Sequence, residues 1–265
     1  MKKTLLFLAV FFTATIFAKA QTNIQVMYDF GKDRQNVTTT LEMFKGDNWG
    51  STFFFVDITH DGKFQHKDGV DHSAPIGAYT EIARSLNFWQ NSKLGALSAH
   101  VEYNGGLGVV PGVFGYGINN CWLFGAEYFL HSSDFKYTLT FEVLYKTIAQ
   151  KDQDVPMQFT IVWGCNDLFG VKGLAFSGFA DFWWENNIWW ENVLWWENNI
   201  WVENLVPVET TGVFITEPQL WYNVGRHFGF DNLNIGGEVE IACNFTGNTT
   251  KGWHVNPCLG IKWNF

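Results

Sequence analysis

Carboxylates recur along this chain, one or two to each of many short segments, several of which also carry rings. Asp29, Glu42, Asp57, Glu81, Glu102, Glu127, Glu142, Asp181, Glu217, Glu238 and Glu240 fall on the polar parity of their segments, together with Phe53, Phe55, Phe179 and Trp221. A carboxylate accepts hydrogen bonds from sugar hydroxyls and attracts cations, while a ring face stacks a base or another flat group. Few bases share that parity: His100, Lys136, Lys146, His254 and Lys262. The set reads as a binding surface for small neutral or cationic solutes. A hydrolytic reading is the remote alternative, because Ser98, His100 and Glu102 occupy alternate positions. Same-face neighbours on a strand stand about 6.6 Å apart, beyond the ~3 Å contact that a nucleophile and its base require. The chain has no HExxH, GxSxG or GK[ST] motif, so it is expected to be no enzyme, and neither a cofactor nor a metal is expected.

Positioning such a set calls for strands. The 265 residues are 47% hydrophobic, 18% aromatic and only 16% charged, a balance that excludes a disordered chain. Twenty-six Phe, 14 Trp and 26 Gly suit pleated surfaces and turns, whereas helical domains lean on Ala, Leu, Glu and Lys. From Phe135 to Lys146 one parity carries Phe135, Tyr137, Leu139, Phe141, Val143 and Tyr145, and the other Lys136, Thr138, Thr140, Glu142, Leu144 and Lys146. This is the period-2 pattern of a strand with one apolar face. Val255, Leu259, Ile261, Trp263 and Phe265 repeat it against His254, Asn256, Gly260, Lys262 and Asn264. Comparable segments lie near 23–31, 36–45, 51–59, 77–88, 95–104, 117–130, 156–165, 172–184, 212–224 and 233–245. Together they predict an all-β, twelve-stranded antiparallel transmembrane β-barrel, lipid-facing on the apolar parity and lumen-facing on the polar one.

The amino terminus fits that destination. Lys2 and Lys3 precede an uncharged apolar run from Thr4 to Ala18, and Ala18-Lys19-Ala20 closes it. These are the three regions of a secretory signal peptide, with cleavage expected after Ala20. Residues 21–265 are then the barrel, placed in the bacterial outer membrane. Loss of Lys2, Lys3 and Lys19 moves the net charge from -9 to -12, which argues against nucleic acid as a partner. The uncharged stretch from Asn104 to Ala126 is too rich in glycine to make a membrane helix, and it reads as a loop from Gly105 to Tyr116. Cys243 falls on the lipid-facing parity and Cys258 on the lumen-facing one, so they are not expected to pair.

The chain ends Trp263-Asn264-Phe265. A terminal Phe on an amphipathic last strand is the kind of signal that outer-membrane assembly machinery reads. A soluble periplasmic sandwich is the competing fold, but its outward faces should be polar rather than lined by Phe, Tyr and Trp. Arg84, between Ile82 and Leu86, falls on the lipid-facing parity and is the one conflict with a barrel.

Several stretches resemble a family of Bacteroidetes outer-membrane proteins of unknown function. They include Tyr28-Asp29-Phe30-Gly31, the run from Thr38 to Phe44, the run from Trp49 to Asp57, Glu81-Ile82-Ala83-Arg84, and Ala99 to Gly106. Phe176 to Trp183, Thr216 to Asn223 and Gly237 to Ile241 extend the likeness over nearly all of residues 21–265. That family is similar to the Tsx nucleoside-specific channel, whose fold is a narrow twelve-stranded barrel. The resemblance implies passive diffusion of nucleosides or comparable solutes. It carries over no individual binding residue. A lumen filled by mutually bonded side chains is the alternative, giving a non-conducting barrel.

One feature lies outside that likeness. From Trp183 to Val206 a hexapeptide recurs as WWENNI, WWENVL, WWENNI and WVENLV. Six is even, so a strand repeats its faces in each copy, one reading Trp-Glu-Asn and the other Trp-Asn-Ile. In a helix six residues advance about 600° and make no stripe. The repeat therefore reads as an extension of the ninth and tenth strands into an external loop. It is either a neutral expansion or an aromatic surface for a glycan or a partner protein.

Overall fold

The computed structural model describes residues 20–265 apart from 33, 62–74, 111–113, 152, 198–199 and 249, with the backbone alone described at 119 and along 192–205. The expected signal peptide, but for Ala20, and most of the expected 60–75 connection lie outside the described residues. The described strands are β1 (Gln21–Asp29), β2 (Val37–Asp47), β3 (Gly50–His60), β4 (Pro75–Leu86), β5 (Leu97–Val110), β6 (Phe114–His131) and β7 (Tyr137–Ile148). They continue as β8 (Met157–Asn166), β9 (Leu174–Glu197), β10 (Ile200–Thr216), β11 (Gln219–Asn223), β12 (Leu233–Cys243) and β13 (Trp253–Asn264).

Each strand pairs antiparallel with its neighbour, and β13 returns to β1 along Asn23↔Asn264 to Asp29↔Cys258, closing the sheet. β10 and β11 together form one stave of the wall. Phe214 to Thr216 pair with β12 at Ile241 to Cys243, and Gln219 to Asn223 pair with it at Asn234 to Glu238. Pro218, which has no N–H to give to the ladder, interrupts them. Its carbonyl still accepts from Val239 N at 3.1 Å. The result is a closed twelve-stranded antiparallel barrel.

The two faces separate as the alternation requires. On β1, Asn23, Gln25, Met27 and Asp29 are buried while Ile24 and Val26 are exposed. On β7, Glu142, Leu144, Lys146 and Ile148 are buried while Phe141, Val143 and Tyr145 are exposed. On β13, Asn256 and Cys258 are buried while Val255, Leu259, Ile261 and Trp263 are exposed. Polar side chains inside and apolar ones outside invert a soluble protein and match a barrel in lipid. Cys243 and Cys258 are not bridged.

The end of the barrel where β1 starts and β13 finishes also holds the connections after β2, β4, β6, β8 and β11. Trp49, Phe88, Phe135, Phe169 and Phe228 are exposed, one in each of these connections, and Phe265 joins them. An aromatic girdle of this kind sits at the membrane–water boundary. Arg84 belongs to the same end and resolves the conflict seen in the sequence. It does point outward, but at the edge of the wall, where it bonds Asp47 at 2.8 and 2.9 Å and Thr52 Oγ1 at 2.9 Å.

At the opposite end two hairpins run past their neighbours. β5 and β6 stay paired to Val110↔Phe114, where a loop from Gly105 to Tyr116 was expected. The glycines here allow close approach rather than breaking the strand. A Cβ on Gly106 would lie 2.3 Å from the Ala78 carbonyl oxygen. The second hairpin carries the repeat. β8 follows β9 only as far as Gln158↔Trp183, whereas β9 and β10 remain paired to Glu197↔Ile200. At about 3.3 Å per residue, this ribbon adds on the order of 40 Å of strand beyond its neighbours.

Val143 is 48% exposed near the middle of β7. Val143→Arg is expected to destabilise the barrel by about 2–4 kcal/mol, the cost of a guanidinium on the lipid face at mid-depth. Reversible urea titration in phospholipid vesicles, followed by Trp fluorescence, measures it.

Candidate functional site

The inner wall holds the carboxylates singled out above, gathered into connected groups. Near the hairpin end, Arg34 folds inward from the β1–β2 connection. It bonds Asp29 through Nε at 2.6 Å and Glu240 through Nη2 at 3.0 Å. Asp29 also accepts from Gly31 N at 2.6 Å, and Glu240 accepts from Asn256 Nδ2 at 3.0 Å. Arg34 was not among the expected lumen bases. Its connection carries no alternation, so periodicity is blind to a base that stands five residues after Asp29 and three before β2.

Elsewhere on the inner wall, Asn23 Nδ2 donates to Glu42 Oε1 at 2.8 Å, and Thr40 Oγ1 to Asp57 at 2.6 Å. Thr160 Oγ1 donates to Asp181 at 2.6 Å, and Gln219 Nε2 to Glu238 at 2.9 Å. His100 lies between two carboxylates, Nδ1 at 3.1 Å from Glu127 Oε2 and Nε2 at 3.3 Å from Glu102 Oε2. Ser85 Oγ donates to Glu127 at 2.7 Å, and Asn104 Nδ2 donates to Glu102 at 3.1 Å. Glu142 faces Glu127 in register across β6 and β7. Both nitrogens of His100 lie against carboxylates, so Ser98 and His100 do not form the nucleophile–base contact considered above.

Among the described residues, the bases that face the lumen each have a neighbour that holds them. Lys146 Nζ donates to Gln158 at 2.7 Å and lies 3.9 Å over the Trp183 ring. Lys262 lies 4.3 Å over Trp221. By contrast, the carboxylates of Glu81, Glu142 and Glu217 have no hydrogen-bond partner among the described residues. Lys136 and His254, expected inside, sit at the two ends instead. Lys136 bonds Asp167 at 2.9 Å in the turn after β8, because β7 starts one residue later. There the Gly173 N–H, and then the Lys136 ammonium, hold the Asp167 carboxyl below the usual carboxylate range. His254 Nε2 lies 2.8 Å from the Thr250 carbonyl.

The rings also divide. Trp221 is only 3% exposed, covered by Lys262 and bonded through Nε1 to Gln219 at 2.9 Å, so its face is not open to stack a solute. Phe179 packs against Trp183, Val213, Ile215 and Ala242. Phe53 and Phe55, 6.0 Å apart, with Tyr79 5.9 Å from Phe55, keep partial exposure and remain open.

A closed wall with an apolar exterior and a polar, acid-rich interior defines a transmembrane β-barrel. The chain belongs to the family described as a domain of unknown function (DUF5020), whose model matches residues 20–265. No curated protein matches it. Among solved structures it is similar to the KdgM porin in complex with disordered oligogalacturonate, at 8% identity and a TM-score of 0.46 over 92% of this chain and 99% of that one. It is also similar to a BenF-like porin from Pseudomonas fluorescens Pf-5, at 9% identity and a TM-score of 0.44 over 94% of this chain and 99% of that one.

Arg34→Met leaves Asp29 and Glu240 facing one another without their cation. A loss of about 1–3 kcal/mol is expected. The triple variant Asp29→Asn, Arg34→Met, Glu240→Gln removes all three charges and should recover most of it. Urea titrations of both variants in vesicles make the comparison.

Proposed function

We propose that this barrel lies in the bacterial outer membrane and acts as a narrow channel for passive diffusion of small neutral or cationic solutes, with nucleosides as the specific candidate. The observation that carries the reading is the inner wall. Asp57, Glu81, Asp181, Glu217 and Glu238 are partly water-accessible there, beside the open rings of Phe53 and Phe55, while the lumen bases are engaged by side chains of the wall. An acidic interior within a low-dielectric wall favours cations and disfavours anions. The same carboxylates accept bonds from sugar hydroxyls, and the rings offer a face to a base. Outer-membrane lipid is the partner of the exterior. The exposed Phe265, whose N–H donates to the Thr22 carbonyl at 2.9 Å, is the residue we assign to recognition by the assembly machinery.

A second reading has its own support. Leu123 and Leu144 are fully buried inside the β6–β7 wall, and Gln25, 1% exposed, donates through Nε2 to Asn23 Oδ1 at 2.9 Å. Such packing favours a non-conducting barrel whose role lies in the protruding hairpin. On that hairpin Trp183, Glu185, Asn187 and Trp189 share one parity, and Ile188 and Trp190 stand exposed on the other.

Liposome swelling separates the two. Proteoliposomes should swell in uridine, adenosine and ribose faster than empty liposomes, and more slowly in the anionic nucleotides. Swelling no faster than empty liposomes for every solute would contradict the channel and leave the hairpin reading.

A further inference from the structure

The group around His100 holds more negative charge than its own side chains balance. Glu102 and Glu127 each lie against one nitrogen of the imidazole. Glu142 is directly opposite Glu127 in the ladder, a position at which like charges destabilise a sheet. It is 8% exposed, and its carboxylate has no hydrogen-bond partner among the described residues. A carboxylate oxygen of Glu142, a ring nitrogen of His100 and a carboxylate oxygen of Glu102 all lie within 4.8 Å of one another.

We infer that His100, Glu102 and Glu142 form a binding site for a first-row divalent cation of the zinc type inside the barrel. With its proton on Nδ1, His100 donates to Glu127 and turns the Nε2 lone pair toward Glu102. A carboxylate behind a ligating imidazole is the usual arrangement that fixes the tautomer and orients the ring, and here Ser85 orients that carboxylate in turn. Asn104 holds Oε1 of Glu102 and leaves Oε2, the atom 3.3 Å from His100, directed at the site. Donors around a tetrahedral zinc ion at about 2.1 Å stand roughly 3.4 Å apart. The His100–Glu102 pair, at 3.3 Å, already has that spacing, and the Glu142 oxygen, within 4.8 Å of both, is near enough for a side-chain adjustment to close the set. One nitrogen and two carboxylates favour a borderline ion over calcium or magnesium, which prefer all-oxygen sites. Two positive charges would balance Glu102 and Glu142, and water would complete the coordination.

Zinc binding to the purified full chain in detergent, measured by equilibrium dialysis with zinc chloride as the probe, tests the site. The expected result is one saturable Zn2+ per chain, retained in excess magnesium. Glu142→Gln and His100→Gln should each weaken it about tenfold or more, while Glu217→Gln, at an acid elsewhere in the lumen, should leave it unchanged. Heat-shifted mobility in gels establishes that each variant is folded before it is compared. No saturable binding by the wild-type chain overturns the inference. So does wild-type affinity in a folded Glu142→Gln or His100→Gln variant, or equal weakening by Glu217→Gln. Because the readout is binding, failure here is distinct from failure to conduct.

Discussion

Backbone hydrogen bonding in a medium without water is the constraint on which the rest of this structure depends. An unpaired N–H or C=O in hydrocarbon costs several kcal/mol, so a strand can cross only if both its edges are paired. The β1–β13 ladder meets that demand by closing the sheet. Closure then assigns every side chain to one of two solvents. Odd positions of β7 such as Phe141 and Val143 face lipid, and even ones such as Glu142 and Lys146 face the interior. The interruption of one stave at Pro218 is tolerated because its carbonyl still reaches Val239 N and the flanking residues keep their ladders.

Once polar side chains are confined to the interior, their charges must be balanced there or met by what enters. The bases do this unevenly. Arg34 spans Asp29 and Glu240, and His100 spans Glu102 and Glu127. Lys146 and Lys262 instead lie over Trp183 and Trp221, which places their charges against rings as well as acids. Glu81, Glu142 and Glu217 are left without a hydrogen-bond donor among the described residues. The proposed preference for cations and hydroxylated solutes, and the proposed divalent site, both follow from that surplus.

The staves were legible in the sequence because lipid on one side and a polar lumen on the other produce the strongest period-2 signal a strand can carry. The hexapeptide repeat was legible for the same reason: its even period preserves parity, and Trp183, Glu185 and Asn187 keep to one face in the hairpin. What periodicity could not show lies where strands end. Arg34 enters the lumen from a connection. Lys136 has the inward parity, although β7 begins after it. Gly105, Gly106, Gly108, Gly115 and Gly117 look like a loop by composition, yet they sit in paired strands, and at Gly106 the missing side chain lets the neighbouring backbone approach. The bulge between Thr210 and Gly212 on the β9–β10 ladder has no counterpart in the residue pattern. For the candidate site, the inward acids were legible, but the contacts that close off Trp221 and Phe179 are tertiary and leave no local trace.

The most direct test of an open, acidic lumen is the reversal potential of single barrels in planar bilayers under a tenfold potassium chloride gradient. A conducting lumen lined by surplus carboxylates gives a potential of the sign expected for cation selectivity, reduced in the Glu81→Gln, Glu217→Gln double variant. A potential of the opposite sign, or no conductance from folded protein in repeated preparations, would contradict it.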